Sequence, residues 1–111
     1  MLNDKSRIQH MLVCVNRIIA TTKDINEAEF MASWPQQDIL TLNFALIGED
    51  SRHLSPDLAA RHPEIPWNNL TAMRNILIHD YGQTDFHIVW MTVQNDIPRL
   101  QATLLAILAE A

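Results

Sequence analysis

The sequence has little glycine and little cysteine. Only two of its 111 residues are glycine, which is too few for a glycine-rich phosphate loop, a dinucleotide-binding fingerprint or a β-sandwich with many tight turns. The single cysteine, Cys14, excludes an intrachain disulfide and a multi-cysteine metal site, and it fits a reducing compartment. We therefore expect a cytoplasmic protein without an ordinary nucleotide-binding loop.

Long apolar runs and an excess of basic charge are also missing. No apolar run approaches the roughly 18 residues of a membrane span, and the first residues lack the apolar stretch of a signal peptide. No membrane insertion is predicted. Eight Lys and Arg against 13 Asp and Glu give a formal charge of -5. This balance argues against a broad nucleic-acid-binding platform, although it permits a small local basic site.

The apolar residues that are present, 48% of the chain, recur at the three- and four-residue spacing of amphipathic helices. We predict one domain over residues 1–111. The pattern predicts three helices in the first half of the chain: one capped by Asn3 or Asp4, a short one opened by a capping box of Asp24 and Glu27, and one from Gln36 to about His53 after a turn in which Ser33 can act as the cap. It predicts three more in the second half: a short one over 57–61, one from Trp67 or Asn68 to about Tyr81-Gly82, and a long C-terminal one capped by Thr84 or Asp85. The fold class is all-α, an antiparallel up-and-down four-helix bundle with additional short helices.

Two helix irregularities are expected. Gly82 should end the fifth helix, because glycine readily adopts the left-handed terminal conformation. Pro98 should kink the last helix, because it removes the hydrogen bond to the carbonyl of Gln94. Cys14, inside the first helix, is expected to be a small buried residue.

One segment sets polar groups into an otherwise apolar helix, namely Arg74-Asn75-Ile76-Leu77-Ile78-His79-Asp80-Tyr81. At about 100° per residue, Asn75 and His79 share a helix face, and Arg74 lies nearly under Tyr81. Arg74 and His79 are about 140° apart, so one chain does not obviously aim both at a single atom. Arginine binds phosphate and histidine transfers protons at neutral pH, which suits phosphodiester chemistry. The alternative is an ordinary helix end whose cations are favoured by the helix dipole.

Cleavage of RNA by its own 2′-hydroxyl needs a base, an acid and positive charge on the phosphorane. One His79 per chain supplies one proton-transfer group. Two chains related by a two-fold axis would supply both, together with two copies of Arg74 and without a metal or cofactor. Asn75 could orient the imidazole or contact the phosphate.

The eight residues match the Arg-Asn-x-x-x-His-x-Tyr motif, so the chain resembles the HEPN superfamily, specifically the HepT-like toxins encoded beside minimal nucleotidyltransferases. The resemblance extends over nearly the whole chain, through segments 46–49, 54–56, 62–67, 88–90 and 95–98. It implies a HEPN-like bundle that forms a homodimer, with Arg74 and His79 as the residues of a metal-independent endoribonuclease toxin and Asn75 in support.

The resemblance also implies a regulator. Tyr81 matches the family's tyrosine, whose hydroxyl can receive adenylyl groups from the partner nucleotidyltransferase antitoxin. The added bulk and negative charge would occupy the RNA cleft and compete for Arg74. A second hypothesis is a non-catalytic adaptor subunit that presents substrate to the nucleotidyltransferase. The complete pair of Arg74 and His79 favours the enzyme, because a scaffold needs no titratable group there.

Three polar residues of the third helix have open alternatives. Glu49 could pair with Arg74 and fix its direction, or it could be an exposed surface glutamate. Asn43 has the same two interpretations. Asp50, where the family commonly has alanine, could face the cleft or lie at the solvated surface. The remaining histidines lack metal-ligand spacing, so no metal site is predicted. The tryptophans are expected to be core or interface anchors rather than base-stacking platforms.

Overall fold

A computed structural model describes residues 3–110. Over this range the chain is all-α, as predicted, and contains no strand. Its helices are α1 (Asp4–Thr22), α2 (Glu27–Met31), α3 (Trp34–His53), α4 (Pro56–Arg61), α5 (Trp67–His79), a 3₁₀ helix (Tyr81–Gln83), α6 (Phe86–Asn95) and α7 (Ile97–Glu110). No helix in the described range has the length and apolarity that crossing a membrane requires.

The main helices α1, α3, α5 and α6–α7 pack antiparallel to their neighbours. The start of α1 meets the end of α3, where the carboxylate of Asp4 accepts a hydrogen bond from the backbone N–H of Ser55 at 3.0 Å. Helices α3 and α5 are also antiparallel. Asp38, near the start of α3, lies by Tyr81 after the end of α5, and Gly48, further along α3, lies by Arg74. These contacts show directly that neighbouring helices run in opposite directions, as the predicted four-helix bundle requires.

The core is formed by one apolar stripe from each main helix. From α1 it contains Ile8, Met11, Val15 and Ile18, which follow one another at three- and four-residue spacing, and Cys14 is fully buried among them. The short helix α2 closes one end of the bundle, because Phe30 packs on Trp90 with ring centroids 5.4 Å apart. The fully buried apolar side chains within residues 3–110 are Ile8, Met11, Cys14, Val15, Ile18, Phe30, Leu40, Phe44, Ile47, Ile97, Leu100 and Leu104.

Helix capping agrees with the sequence at α1 and differs at α2. The Asn3 side chain accepts a hydrogen bond from the backbone N–H of Ser6 at 2.9 Å. The capping box predicted at Asp24 and Glu27 is wrong, because the box consists of Asn26 and Glu29, two residues later. Both pairs have the same spacing. The second is used because α1 continues to Thr22 and a turn follows before the next helix begins.

The two expected irregularities turn out differently. Gly82 does not end α5 in the left-handed conformation, since neither glycine has a positive φ. The helix ends at His79, and a 3₁₀ turn follows. The effect of Pro98 is stronger than a kink. The C-terminal segment is divided at Asp96 into α6 and α7, because Pro98 has no N–H for the carbonyl of Gln94.

Asp50 is buried between α1 and α3, so both positions considered for it, in the cleft and at the solvated surface, are wrong. Its side chain is 5% exposed and lies 3.0 Å from Arg7 Nη1. Its second oxygen contacts His10 Nδ1. The carboxylate is thus paired with Arg7 and in contact with His10, and it joins α1 to α3.

Candidate functional site

The polar set of α5 is brought together by the length of one arginine side chain. Arg74 Nη1 donates to Asn75 Oδ1 at 3.0 Å and makes a long contact of 3.5 Å with His79 Nε2. The two positions are about 140° apart on the helix, and it is the long arginine side chain that brings Arg74 and His79 together within one chain. The Arg74 side chain is long enough to reach around the helix from its own position to that of His79. Asn75 and His79 are exposed, while the side chain of Arg74 is 19% exposed.

The contact between Arg74 and His79 places a phosphate-binding group beside an imidazole nitrogen. A guanidinium has only donors, so His79 Nε2 must act as the acceptor in this contact. A phosphate that binds Arg74 would draw the guanidinium away and free the Nε2 lone pair. The arrangement can therefore bind an anion and accept a proton at adjacent positions.

The position of Arg74 depends on Gly48, which sequence reasoning did not single out as a site residue. A Cβ at Gly48 would lie 2.3 Å from Arg74 Cβ and 2.6 Å from the carbonyl oxygen of Leu70. Glycine is what allows α3 to pack this closely against α5. The available signal was a glycine inside a helix, which costs about 1 kcal/mol relative to alanine and usually has a packing or functional reason.

Glu49 pairs with Arg74, as one of its two sequence interpretations proposed. Its Oε2 lies 3.0 Å from Arg74 Nη2, and the side chain is 36% exposed. Its Oε1 accepts a hydrogen bond from Arg52 at 3.1 Å and contacts His53 Nε2 at 2.9 Å. These hydrogen bonds, that of Arg52 first and that of His53 second, hold the pKa of Glu49 below its usual range. The carboxylate stays ionised and fixes the direction of Arg74.

Asn43 is buried rather than exposed. Its Nδ2 donates to the carbonyl of Ile39 at 2.8 Å, which is a local bond within α3. Its Oδ1 is buried without a hydrogen-bond partner in the described part of the chain. No hydrogen bond within residues 3–110 connects Asn43 to Arg74, so the structure places it in the packing of α3.

Tyr81 leaves the axis of α5 because the helix ends two residues earlier. It therefore does not lie over Arg74, as a continuous helix would require. Its ring packs edge-on against Phe86, with centroids 6.1 Å apart. Its hydroxyl lies 3.4 Å from Asp38 Oδ1, at the start of α3. The side chain is accessible, since the residue is 47% exposed.

Two other histidines are paired with carboxylates away from this site. His10 pairs with Asp50, and His87 pairs with Glu27. Among residues 3–110, no group of three or more His, Cys, Asp or Glu side chains is arranged to hold a metal ion.

Comparison with known proteins gives consistent matches along most of the chain. Residues 11–107 match the family described as "Ribonuclease HepT-like". A protein of Methanocaldococcus jannaschii with a provisional RNase name is 32% identical over 97 residues, covering 87% of this chain and 89% of that protein. A Thermococcus cleftensis protein named "Probable ribonuclease HepT" is also 32% identical, covering 87% and 88%. No solved structure matches significantly.

Proposed function

Because the chain belongs to the HepT-like ribonuclease family, we propose that it is a metal-independent endoribonuclease toxin with an active site of Arg74, Asn75 and His79. The observation that carries the proposal is the contact of one guanidinium with both Asn75 Oδ1 and His79 Nε2, at 3.0 and 3.5 Å. A phosphate-binding group and a proton-transfer group thus lie side by side on an accessible surface.

The proposed reaction is attack by the RNA on itself. The 2′-oxygen of a ribose forms a bond to the neighbouring phosphorus, and the bond from that phosphorus to the 5′-oxygen of the next nucleotide breaks. A base takes the proton of the 2′-hydroxyl, and an acid gives a proton to the departing 5′-oxygen. Arg74 stabilises the negative charge of the phosphorane. The products carry a 2′,3′-cyclic phosphate and a 5′-hydroxyl.

The reaction uses two proton-transfer groups, so we propose that His79 of a second copy provides the other one. Exposed apolar side chains on α3 and α5, the helices that carry the site, support this homodimer. Trp34, Leu42 and Ile78 are 72, 58 and 52% exposed, and the antiparallel register places Ile78 near the level of Leu42. Exposed large apolar side chains on the two helices that carry the site provide apolar area that a second copy would bury.

We further propose that a nucleotidyltransferase antitoxin silences the site by adenylylating Tyr81. The Tyr81 oxygen would attack the α-phosphorus of ATP, and pyrophosphate would leave. Asp38 Oδ1, 3.4 Å from the hydroxyl, is placed to accept the phenolic proton. The product carries an anionic phosphodiester two residues from His79, which would obstruct RNA and compete for Arg74.

The nuclease proposal is tested by incubating the purified protein with bulk RNA in EDTA and analysing the new ends. We expect cleavage with 2′,3′-cyclic phosphate ends, abolished in Arg74→Ala and in His79→Ala while circular dichroism shows both variants folded. Cleavage by a double variant would contradict the assignment of the site. Failure of every unmodified preparation to cleave would favour a non-catalytic adaptor subunit instead.

The adenylylation proposal is tested by co-expression with the neighbouring gene. Intact-mass measurement should show the addition of adenylyl groups, and peptide mapping should place them on Tyr81. Tyr81→Phe should abolish the mass increase and leave RNA cleavage in place when the neighbouring gene is present. Modification elsewhere in the chain would contradict the role of Tyr81.

A further inference from the structure

The ion-pair network of the candidate site continues along α3 to two further basic side chains. Glu49 Oε2 lies 3.0 Å from Arg74 Nη2. The other oxygen of the same carboxylate lies 3.1 Å from Arg52 Nη2 and 2.9 Å from His53 Nε2. Arg52 and His53 belong to the last turn of α3. One carboxylate therefore holds a basic pair of α3 next to the arginine of α5.

This network is locally positive and accessible. Its two arginines outnumber its one carboxylate, in a chain whose formal charge is -5. The neighbouring acid on α3, Asp50, is buried against α1 and paired there with Arg7. The side chains of Arg52 and His53 are 50 and 42% exposed. A guanidinium has five N–H donors, and only Nη2 of Arg52 is used in this network.

Local helix effects account for only part of this arrangement. The helix dipole favours basic residues in the last turn, and pairs at three- and four-residue spacing favour contact with Glu49. Neither effect needs α5. The connection to Arg74 is tertiary, and it depends on the close packing that Gly48 allows. The basic pair is thus held beside the place where the scissile phosphate would bind.

We propose that Arg52 and His53 form a second phosphate-binding subsite, which holds the phosphate next to the cleaved one in a single-stranded RNA. This inference rests on the proposed nuclease function and extends the same site. A strand has one phosphate per nucleotide, so a strand held at Arg74 presents a neighbouring phosphate nearby. Contacts to phosphates supply affinity and position the strand without reading its sequence.

Binding tests the subsite separately from cleavage. The affinity of a fluorescent single-stranded oligonucleotide is measured by anisotropy for wild type, Arg52→Ala and the control Arg99→Ala. Arg99 is a similarly exposed arginine on α7, with a side chain 58% exposed against 50% for Arg52. For Arg52→Ala we expect a Kd raised about fivefold at 0.1 M salt and a salt dependence weaker by about 0.7 logarithmic units per decade. Equal behaviour of the two variants would overturn the subsite.

Cleavage then shows where Arg52 acts. A ribodinucleoside monophosphate has one phosphate, whereas a longer oligonucleotide also has the neighbouring one. Arg52→Ala should raise KM for the oligonucleotide several times more than KM for the dinucleoside. Equal losses of kcat on both substrates would show that Arg52 acts only through Glu49, and would overturn the subsite. If wild type cleaves neither substrate, the nuclease function fails, and the binding result is still decided by anisotropy.

Discussion

Gly48 and Arg74 meet where α3 packs on α5, at a distance that excludes a side chain: a Cβ on Gly48 would lie 2.3 Å from Arg74 Cβ. Alanine normally stabilises a helix interior relative to glycine by about 1 kcal/mol. Here it must push α5 away, and we expect Gly48→Ala to lower the free energy of unfolding by about 1–3 kcal/mol and to impair RNA cleavage. Urea denaturation measures the first effect.

The chain contains its own control for this substitution. A Cβ at Gly82 would meet no atom within 4 Å, and its φ is not positive. Gly82→Ala should therefore change the free energy of unfolding by no more than about 0.5 kcal/mol. A Gly48→Ala variant as stable as wild type would show that α3 and α5 do not pack this closely.

The carboxylate of Glu49 should give the fold a pH-dependent contribution. Because Arg52 and His53 hold its pKa below the usual range, the ionised form is favoured in the folded state. That contribution is present above the pKa of the unfolded chain and is lost as pH falls through the lower folded-state pKa. We expect Glu49→Gln to be less stable than wild type at pH 7, with a difference that shrinks below about pH 4.

Denaturant titrations at several pH values measure the effect of Glu49. The matched control is Glu64→Gln, which removes a glutamate that is 45% exposed in the link before α5. If both substitutions give the same pH profile, Glu49 is an ordinary surface glutamate and does not hold Arg74.

Asp50 should be important for stability rather than for chemistry. Its carboxylate is nearly buried and pairs with Arg7, whose side chain is 14% exposed. We expect Asp50→Asn to lower the free energy of unfolding by about 2–3 kcal/mol, somewhat less than breaking a fully buried pair. Thermal and urea denaturation are the measurements. Asp96→Asn is the control, because Asp96 lies 3.8 Å from Arg99, whose side chain is largely exposed. If the control loses as much stability as Asp50→Asn, the buried pair of Asp50 and Arg7 contributes no more than a surface pair.

The exposed apolar side chains of Trp34, Leu42 and Ile78, on α3 and α5, should belong to the surface that forms the homodimer. Leu42→Glu places a charge there and should yield a folded monomer without RNA cleavage, as measured by analytical ultracentrifugation and the nuclease assay. Leu105→Glu changes a similarly exposed leucine of α7, 51% against 58% exposed, and should leave a dimer. A Leu42→Glu dimer would place the interface elsewhere.

The thiol of Cys14 should be unreactive in the folded protein. Cys14 is fully buried, and burial, followed by the negative charge of Asp50, raises its pKa. Thiolate is the reactive form, so both access and ionisation are reduced. A chromogenic disulfide reagent at pH 8 should react at once in urea and only slowly, at a rate limited by unfolding, in native buffer. Rapid native reaction would contradict the buried position.

The spacing of apolar residues by itself determined the all-α class, the buried face of α1 and the burial of Cys14, and the chemistry of proline determined an interruption near Pro98. These features depend on local periodicity and on backbone chemistry, which act within a few residues. The same local information could not choose between two capping boxes of equal spacing. Asn26 and Glu29 form the box because α1 continues to Thr22, and the end of a helix depends on packing as well as on propensity.

In the candidate site, too, some features are determined by the local sequence and others by tertiary packing. The sequence placed Arg74, Asn75, His79 and Tyr81 on one segment, and helical angles then separated Arg74 from His79. Only the tertiary structure decided how these groups meet. Gly48 lets α3 approach α5, Glu49 turns the guanidinium, and the end of α5 at His79 redirects Tyr81 toward α3. Contacts between residues distant in sequence depend on the packing of whole helices, which a periodic pattern does not specify.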